Sequence, residues 1–468
     1  MNYFINVDVL KKPSLFVILF AFLFAFWFAD FWRPYNAKKQ ESNFVWDMFG
    51  YYSYLPATFC NERSFLWNGT SGYFLSKSPK GEFFPKYTYG LSILHAPFFA
   101  IGYKLAINQK DALDGFSEPF STAVRWGTIF YVMLGLLFLR KFLLFYFSER
   151  VTAFTLTSIL FGTMLFMYTF VQSEMPHAYL FTLFAIFLYY TKLWHDAQKY
   201  RYTLVIAFTG ALITLIRPTE LFILLFFLFW GVKNWSDFSS KAGFLLSHYK
   251  HLLMMLSFGI AIWIPQLFFW KAYTGSYFYF SYQDEKFFWT DPQILNILVS
   301  YRKGWITYTP LIILAFFGFF FVKREFPISK WVMFGITFLM VYVYSCWWDW
   351  NYGGCFGARA FCQHIAFLSV PIAYFFEFAL YSKMRMRLKN FVSGVTLLFV
   401  FSCIFLNIGQ TYQYQELRKI HGWAMTKQAY WDVFRKYQFT VEEGYKFWAD
   451  LKFPEHDNWK KGQNRDDR

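Results

Sequence analysis

The sequence of 468 residues has little charge and few cysteines. Only 16% of its residues are Asp, Glu, Lys or Arg, whereas 57% are hydrophobic and 26% are aromatic. So much apolar surface excludes an intrinsically disordered chain, and so little charge argues against a single soluble globule. The five cysteines form no CxxC pair and no zinc-binding spacing, so they predict no zinc site and indicate no redox compartment.

The motifs of the common soluble enzymes are also missing. The chain contains no Walker loop, no HExxH, no GxSxG and no Rossmann fingerprint. Its formal charge is +16, but it has no basic run or aromatic stacking module typical of nucleic-acid binding. There is no room for the soluble α/β domain of a nucleotide-sugar enzyme. Nucleic acid is therefore not an expected partner, and any sugar donor is expected to arrive within or through the membrane.

The sequence has instead a series of apolar segments. Several of them have almost no charge over about 17–22 residues, enough to cross roughly 30 Å of hydrocarbon as a helix. They predict an all-α polytopic membrane protein with about 11–12 transmembrane helices and a large first outer loop carrying short membrane-lying helices. The eleven clear spans are residues 13–32, 123–139, 151–171, 177–193, 202–216, 219–233, 251–270, 305–323, 331–346, 361–381 and 391–408.

A twelfth segment, 88–106, is short and contains Pro97, and we expect it to cross halfway or to lie in the interface. The remaining loops alternate between a compact basic set and a set rich in Trp, Tyr, Asp and Gly. Because positive charge favours the cytoplasmic side, the pattern predicts a cytoplasmic amino terminus in a multi-pass protein of the cytoplasmic membrane. Residues 1–410 then form the membrane domain, with the first outer loop at 33–122. The polar tail 411–468 is expected to cap the outer face or to lie on the membrane.

The first outer loop offers a candidate acid. Asp47 follows the first span and is surrounded by aromatic residues that include Tyr51 and Tyr52. An apolar setting raises the pKa of a carboxyl group and suits a general base. The alternative is an interfacial aromatic belt in which Asp47 caps a short helix.

Later segments add charged candidates, each with a structural alternative. Lys86 can hold a lipid phosphate or extend to the interface. Glu174 and His177 open a span on the outer side, where His177 can equally be a packing residue. Arg217 is a functional candidate inside the membrane boundary, or it pairs with Glu220 at a helix break.

Two further motifs lie in the second half of the chain. Arg302 and Lys303 precede a span and can bind a phosphate leaving group, or they are membrane-flanking charges. Residues 346–359, CWWDWNYGGCFGAR, form the strongest signal. Three glycines permit tight turns, and the aromatic rings can stack on sugars. The side chains singled out in this stretch are Trp347, Trp348, Asp349, Trp350 and Arg359.

The order of these motifs resembles the integral-membrane glycosyltransferases of the GT-C fold. The resemblance covers residues 10–410 and is nearest to bacterial relatives of protein O-mannosyltransferases and aminoarabinose transferases. It implies transfer of a sugar from a polyprenyl-phosphate carrier to a glycan, lipid or protein acceptor on the outer face. Asp47 matches the family's acid, which acts as a base or binds a metal. The neighbours Trp46 and Met48 are not acidic, so the resemblance leaves a divalent cation open.

The resemblance and the residues together give a mechanism. Asp47 accepts the proton of the acceptor hydroxyl, and Lys86, Arg217 or the Arg302–Lys303 pair offsets the charge on the leaving phosphate. The tryptophans of residues 346–359 provide a sugar platform, and Arg359 anchors the loop or the acceptor. The alternatives are a transporter or flippase with Arg217 at its binding site, and a scaffold protein without catalysis.

Overall fold

The computed structural model describes residues 12–31, 44–60, 65 and 75–465, so part of the first outer loop, residues 33–43 and most of 61–74, lies outside it. The described chain is helical, with one small β-hairpin. The α-helices are Pro13–Phe31, Asp47–Tyr52, Tyr54–Phe59, Gly90–Gln109, Glu118–Leu143, Glu149–Phe161, Leu165–Phe170, Pro176–Asp196, Tyr200–Ile216, Ile223–Leu228, Trp235–Ser247, Tyr249–Thr274, Ile294–Val299, Trp305–Tyr308, Ile313–Gly318, Lys330–Cys346, Ile365–Tyr381, Met386–Gln415, Lys427–Val433, Val441–Ala449 and His456–Lys460. The 3₁₀ segments are Pro218–Phe222, Pro310–Ile312, Phe319–Phe321 and Arg359–Phe361, and the strands are Leu75–Lys77 and Phe83–Pro85.

These elements confirm the predicted class, an all-α polytopic membrane protein. Four helices are long and apolar enough to cross a membrane: Gly90–Gln109, Glu118–Leu143, Tyr249–Thr274 and Met386–Gln415. Shorter apolar helices match most of the other predicted spans. The last long helix, Met386–Gln415, extends into the first residues of the segment 411–468.

The prediction of a short segment interrupted at Pro97 was wrong. Gly90–Gln109 is one continuous helix of 20 residues with Pro97 inside it, and at 1.5 Å per residue it is about 30 Å long. Gly90 allows its first turn to lie against the helix Tyr200–Ile216, because a side chain there would come within 2.9 Å of the Ile216 amide nitrogen. By length and composition this helix can cross a membrane completely.

Three predicted spans are broken where the sequence suggested single helices. The segment 151–171 is interrupted between Phe161 and Leu165, where the Asn407 side chain donates to the carbonyls of Phe161 and Thr163 at 2.9 Å each. Segment 219–233 begins as a 3₁₀ turn, and 305–323 consists of four short pieces. Proline at the start of two of these pieces explains the breaks, since it has no N–H to donate and disfavours helix in the residue before it.

The chain forms two compact units. Unit 1 contains the described residues of Met1–Ala21, Leu143–Met167 and Asp284–Arg468. Unit 2 contains those of Phe22–Phe142 and Tyr168–Gln283. Asp47 and Lys86 therefore belong to unit 2, whereas residues 346–359 belong to unit 1.

Candidate functional site

The acidic site of unit 2 is built around the carboxylate of Asp47, the first residue of a short helix. The Tyr87 hydroxyl donates a hydrogen bond of 2.7 Å to Oδ1 of Asp47. Burial raises the pKa of Tyr87 well above its usual value, and the Asp47 carboxylate raises it further. The phenol therefore stays protonated and remains a donor that holds the carboxylate in one orientation.

Two aromatic rings hold the side chain of Tyr87 in place. Tyr51 stacks on Tyr87 with ring centroids 4.1 Å apart, and the ring of Tyr282 lies edge-on to Tyr87 at 6.0 Å. The ammonium of Lys86 lies 4.7 Å from the centroid of the Tyr282 ring. We use the term acidic site for these five residues: Asp47, Tyr51, Lys86, Tyr87 and Tyr282. It places one carboxylate, one cation and three phenol rings together.

Local folding explains how residues 40 positions apart meet. Strand Leu75–Lys77 pairs antiparallel with Phe83–Pro85, and this hairpin delivers Lys86 and Tyr87 at its end. The hydroxyl of Tyr54, one turn after the Asp47 helix, donates to the Tyr87 carbonyl at 2.8 Å. Phe84 is fully buried in an aromatic cluster, so the end of the hairpin is anchored.

Tyr52 takes a different course from Tyr51. It is fully buried, stacks on Phe44 with a centroid distance of 3.6 Å, and donates to the Gly115 carbonyl at 2.6 Å. Its contacts tie the Asp47 helix to the helix Gly90–Gln109 and the loop that follows it. We therefore assign a packing role to Tyr52 and keep Tyr51 as the residue that supports the acid.

Glu174 and His177 are both buried where the chain enters the helix Pro176–Asp196. Burial raises the pKa of Glu174, and the nearby Arg125 guanidinium partly opposes that rise. The His177 ring packs 4.9 Å from the ring of Tyr168. His177 thus occupies a packing position, whereas Glu174 is a buried acid with a cation near it.

Arg217 lies at the break between the helix Tyr200–Ile216 and the 3₁₀ turn Pro218–Phe222. Its Nε is 3.7 Å from Oε1 of Glu220, which is fully buried. This is the pairing that the sequence offered as one of two possibilities. The pair neutralises charge at a point where backbone hydrogen bonding is interrupted.

The described residues do not fit a resident metal site. No group of three or more His, Cys, Asp or Glu side chains gathers anywhere in residues 12–31, 44–60, 65 or 75–465. A closed protein site for a divalent cation needs several such ligands, and one oxygen of Asp47 is already engaged by Tyr87.

The Trp-rich loop, residues 346–359, follows the helix Lys330–Cys346 in unit 1. It pairs with a preceding segment, because the Phe288 amide donates to the Cys346 carbonyl at 2.7 Å and the Trp348 amide donates to the Lys286 carbonyl at 3.0 Å. A side chain at Gly354 would overlap the indole of Trp423, which lies on the loop. The glycines thus serve close backbone approach, as the sequence indicated.

Trp350 is the fully buried tryptophan of this loop. Its indole N–H donates to the Arg465 carbonyl at 3.0 Å, and its ring stacks on Trp459 at 5.9 Å. The Arg465 guanidinium donates to the Trp347 carbonyl at 2.7 Å and to the Asp291 carboxylate at 3.0 Å. Residues 456–465, named here the closing segment, therefore cover the loop, and Trp350 has a packing role.

The other two indoles are less enclosed. Trp347 is half-buried and lies 4.7 Å from the Phe287 ring. Trp348 is covered by the closing segment, with the Lys460 ammonium 5.4 Å from its ring and the His456 ring 5.7 Å away. Of the three tryptophans proposed as a sugar platform, Trp347 is the one with an accessible ring.

Arg302 and Lys303 lie against the Trp-rich loop and the tail. Arg302 donates to the Trp423 carbonyl, and Lys303 donates to the Cys355 carbonyl. Burial lowers the pKa of Lys303 to about 8, with the Arg359 guanidinium acting in the same direction and Asp349 opposing it. The structure therefore brings four predicted side chains into one charged cluster, in which Arg302, Lys303 and Asp349 are buried and Arg359 is half-buried.

Several residues of these sites were missed by sequence reasoning. Tyr87 adjoins Lys86 in an aromatic run, so its position next to a candidate cation was the available signal. Trp423, Trp459 and Arg465 lie in the tail, where no local pattern relates them to a loop about a hundred residues earlier. Arg125 lies within a predicted span, and its charge inside an apolar segment was the overlooked signal.

No family model matches the chain, and no curated protein matches it either. Among solved structures, the apo form of the oligosaccharyltransferase from the archaeon Archaeoglobus fulgidus aligns over 94% of this chain with a TM-score of 0.51 and 13% identity. The same enzyme in complex with Zn and sulfate aligns over 94% with a TM-score of 0.47 and 14% identity. The alignments span 60% and 57% of the archaeal chain. The apo likeness shows a GT-C-like fold, as the resemblance predicted.

Proposed function

We propose that the protein is a membrane glycosyltransferase. It transfers a sugar from a polyprenyl-phosphate-linked donor to a glycan, lipid or protein acceptor on the outer face of the cytoplasmic membrane. The observation that carries the proposal is the carboxylate of Asp47, which Tyr87 orients, with Lys86 as the preceding residue, within a chain whose fold resembles that of an oligosaccharyltransferase.

Each member of the acidic site has a part in the reaction. The acceptor oxygen attacks the anomeric carbon, its proton passes to Asp47, and the bond between that carbon and the phosphate oxygen breaks. The electrons of that bond leave with the polyprenyl phosphate, and the Lys86 ammonium offsets the charge. Tyr87 holds the carboxylate, and Tyr51 holds Tyr87.

The proposal assigns sugar stacking in the Trp-rich loop to Trp347, because its ring is partly exposed. A stacked aromatic ring contributes about 0.5–1.5 kcal/mol beyond the area that it buries. Lys86 is the cation of the acidic site in unit 2. Unit 1 has a cationic feature of its own, the buried Arg302–Lys303 pair, which can bind an anionic group.

The test uses cells that lack the protein. We expect their lipid extracts to accumulate a polyprenyl-phosphate sugar, and we expect the wild-type gene to remove it. Asp47→Asn is expected not to restore transfer, because loss of a general base lowers the rate by about 10²–10⁴. Asp111→Asn is the matched control, since Asp111 is an exposed acid of the same unit.

Two results would overturn the proposal. One is the absence of any lipid-linked sugar in the deletion strain. The other is full complementation by Asp47→Asn at wild-type protein level, which would exclude Asp47 as the base. Accumulation of the donor on the cytoplasmic side alone would favour a flippase instead.

A further inference from the structure

The helix Trp235–Ser247 in unit 2 has no part in the proposed reaction. It follows the short helix Ile223–Leu228, and a single residue, His248, separates it from the helix Tyr249–Thr274. Its amino terminus is closed by a capping box in which Asn234 and Asp237 bond each other's backbone amides. This stretch lies between the predicted spans 219–233 and 251–270, where the sequence predicts only a loop, so the helix is a new element of the fold.

Its side chains fall into three faces. Residues 235, 238, 242 and 246 recur at intervals of three and four and therefore share one face of the helix. They are Trp, Phe, Ala and Leu, and all four are exposed; Trp235 is 89% and Leu246 69% exposed. A second exposed face carries small and polar residues, namely Ser236, Ser239, Ser240, Gly243 and Ser247.

The third face packs on the protein through Lys241. The Lys241 ammonium donates to Nε2 of His195 at 2.5 Å. The Nδ1 of His195 lies 2.8 Å from the Thr191 carbonyl and donates to it, so the ring is the neutral tautomer that can accept from lysine. The rings of Phe227 and Phe244 flank the ammonium at 5.8 Å and 5.3 Å. The orientation of the helix about its own axis is therefore fixed.

The neighbouring helix indicates what the exposed apolar face contacts. Tyr249–Thr274 is long and apolar enough to cross a membrane, and His251 and Gln266 are its buried residues. Its remaining side chains are half-buried or exposed, and Leu253 and Leu256 are among the exposed ones. Because one residue joins the two helices, the carboxyl end of Trp235–Ser247 lies where this candidate span begins, and the helix cannot move far from the membrane surface.

We propose that Trp235–Ser247 lies in the plane of the membrane interface, with Trp235, Phe238, Ala242 and Leu246 inserted among the lipid acyl chains. The serine face then meets water, and the Lys241 face meets the protein. A helix with one apolar and one polar face binds at the boundary between headgroups and acyl chains, and Trp is favoured at that depth. This inference is independent of the proposed reaction.

The experiment uses the full-length protein, reconstituted in phosphatidylcholine vesicles with a Cys60→Ser background, since the other four cysteines are buried. A nitroxide is attached at Phe238→Cys and, as the matched control on the serine face, at Ser240→Cys. Oxygen, which partitions into acyl chains, and a water-soluble nickel chelate are the collision partners. We expect the ratio of oxygen to nickel accessibility to be severalfold higher at 238 than at 240.

Equal, water-like ratios at the two positions would overturn the inference. Low accessibility to both reagents at 238 would also overturn it, because that result indicates a protein partner on the apolar face. A second measurement avoids labelling. The fluorescence contribution of Trp235 is the difference between the wild-type protein and Trp235→Phe, and brominated acyl chains should quench this contribution. The same chains should not quench the part of the fluorescence that is lost in Trp459→Phe, a control that is buried within the protein, and equal quenching of the two parts would count against the proposal.

Discussion

The acidic site and the Trp-rich loop are held by different means. Asp47 is half-exposed and is held by Tyr87, which lies 40 residues away at the end of a local hairpin. The Trp-rich loop is largely buried and is held by Arg465, whose bond to the Trp347 carbonyl spans 118 residues. The acidic site leaves a carboxylate available for chemistry. In the Trp-rich loop, by contrast, most side chains of the motif are used for packing. A dense aromatic motif is therefore weaker evidence for binding than a single oriented acid.

The largest effect on the loop is expected from Arg465→Met. This change removes a buried guanidinium that caps the last carbonyls of the helix Lys330–Cys346. Each hydrogen bond to a charged group contributes about 1.5–3 kcal/mol, so we expect the free energy of unfolding to fall by at least about 3 kcal/mol. Denaturation of the protein in detergent measures this free energy, and Arg387→Met, a change at an exposed arginine, is the control.

Thiol labelling sharpens the Arg465 result. Cys346 and Cys355 are buried in the wild-type loop, and we expect both to react in Arg465→Met under native conditions. If both cysteines stay unreactive in an Arg465→Met enzyme that still transfers sugar, then the tail does not hold the Trp-rich loop. The contrast between the acidic site and the Trp-rich loop then fails.

A comparison of two tryptophans tests packing against binding. Trp350→Ala is expected to lower the free energy of unfolding by about 3–5 kcal/mol, as for other buried large-to-small changes. Trp347→Ala is expected to cost less stability but to weaken saccharide binding. Equilibrium unfolding and a binding titration with the donor separate the two. Equal loss of stability in both variants would contradict the assignment of Trp347 to the sugar.

Within the acidic site, Tyr87→Phe removes one hydrogen bond and keeps the ring stack. Because that bond joins a neutral donor to a carboxylate, we expect a rate loss equivalent to about 1.5–3 kcal/mol and a nearly unchanged midpoint of unfolding. Steady-state transfer by the purified enzyme measures the rate. Tyr103→Phe, in the helix Gly90–Gln109, is the control, and a similar loss there would remove Tyr87 from the site.

The smallest expected effect is a pH dependence of stability. Lys303 has a pKa of about 8 in the folded protein, against roughly 10.4 in an unfolded chain. Between these values the unfolded chain binds a proton that the folded chain has released, so stability rises with pH in that window and is flat below it. Thermal unfolding from pH 7 to pH 10 should show this rise, which Lys303→Met should remove and the exposed Lys383→Met should keep.

Most of the fold was predictable because apolar length is a local property. Residues 202–216 and 331–346 match the helices Tyr200–Ile216 and Lys330–Cys346 closely. Pro97 misled the prediction, because a helix that packs on both sides of a proline can continue through it. The breaks near Arg217 and after Phe161 depend on partners elsewhere in the chain, such as Asn407.

The candidate site was predictable only in part. Asp47 stood out as the one acid in an aromatic stretch, and Lys86 as a cation at the edge of an apolar helix. The packing roles of Tyr52 and Trp350 were not predictable, because composition does not distinguish an aromatic ring that binds from one that is buried. Arg465 gave no signal, since its partners are backbone carbonyls, which leave no trace in the sequence, and the carboxylate of Asp291, which lies 174 residues away.

The position of Arg465 has a consequence for biosynthesis. The ribosome adds Arg465 118 residues after Trp347, and at about 5–20 residues per second the interval is roughly 6–24 s. During that time the end of the helix Lys330–Cys346 lacks the Arg465 guanidinium, and Trp348 and Trp350 lack the cover of the closing segment. The nascent chain therefore carries an open aromatic segment next to the insertion machinery until residues 456–465 have been added.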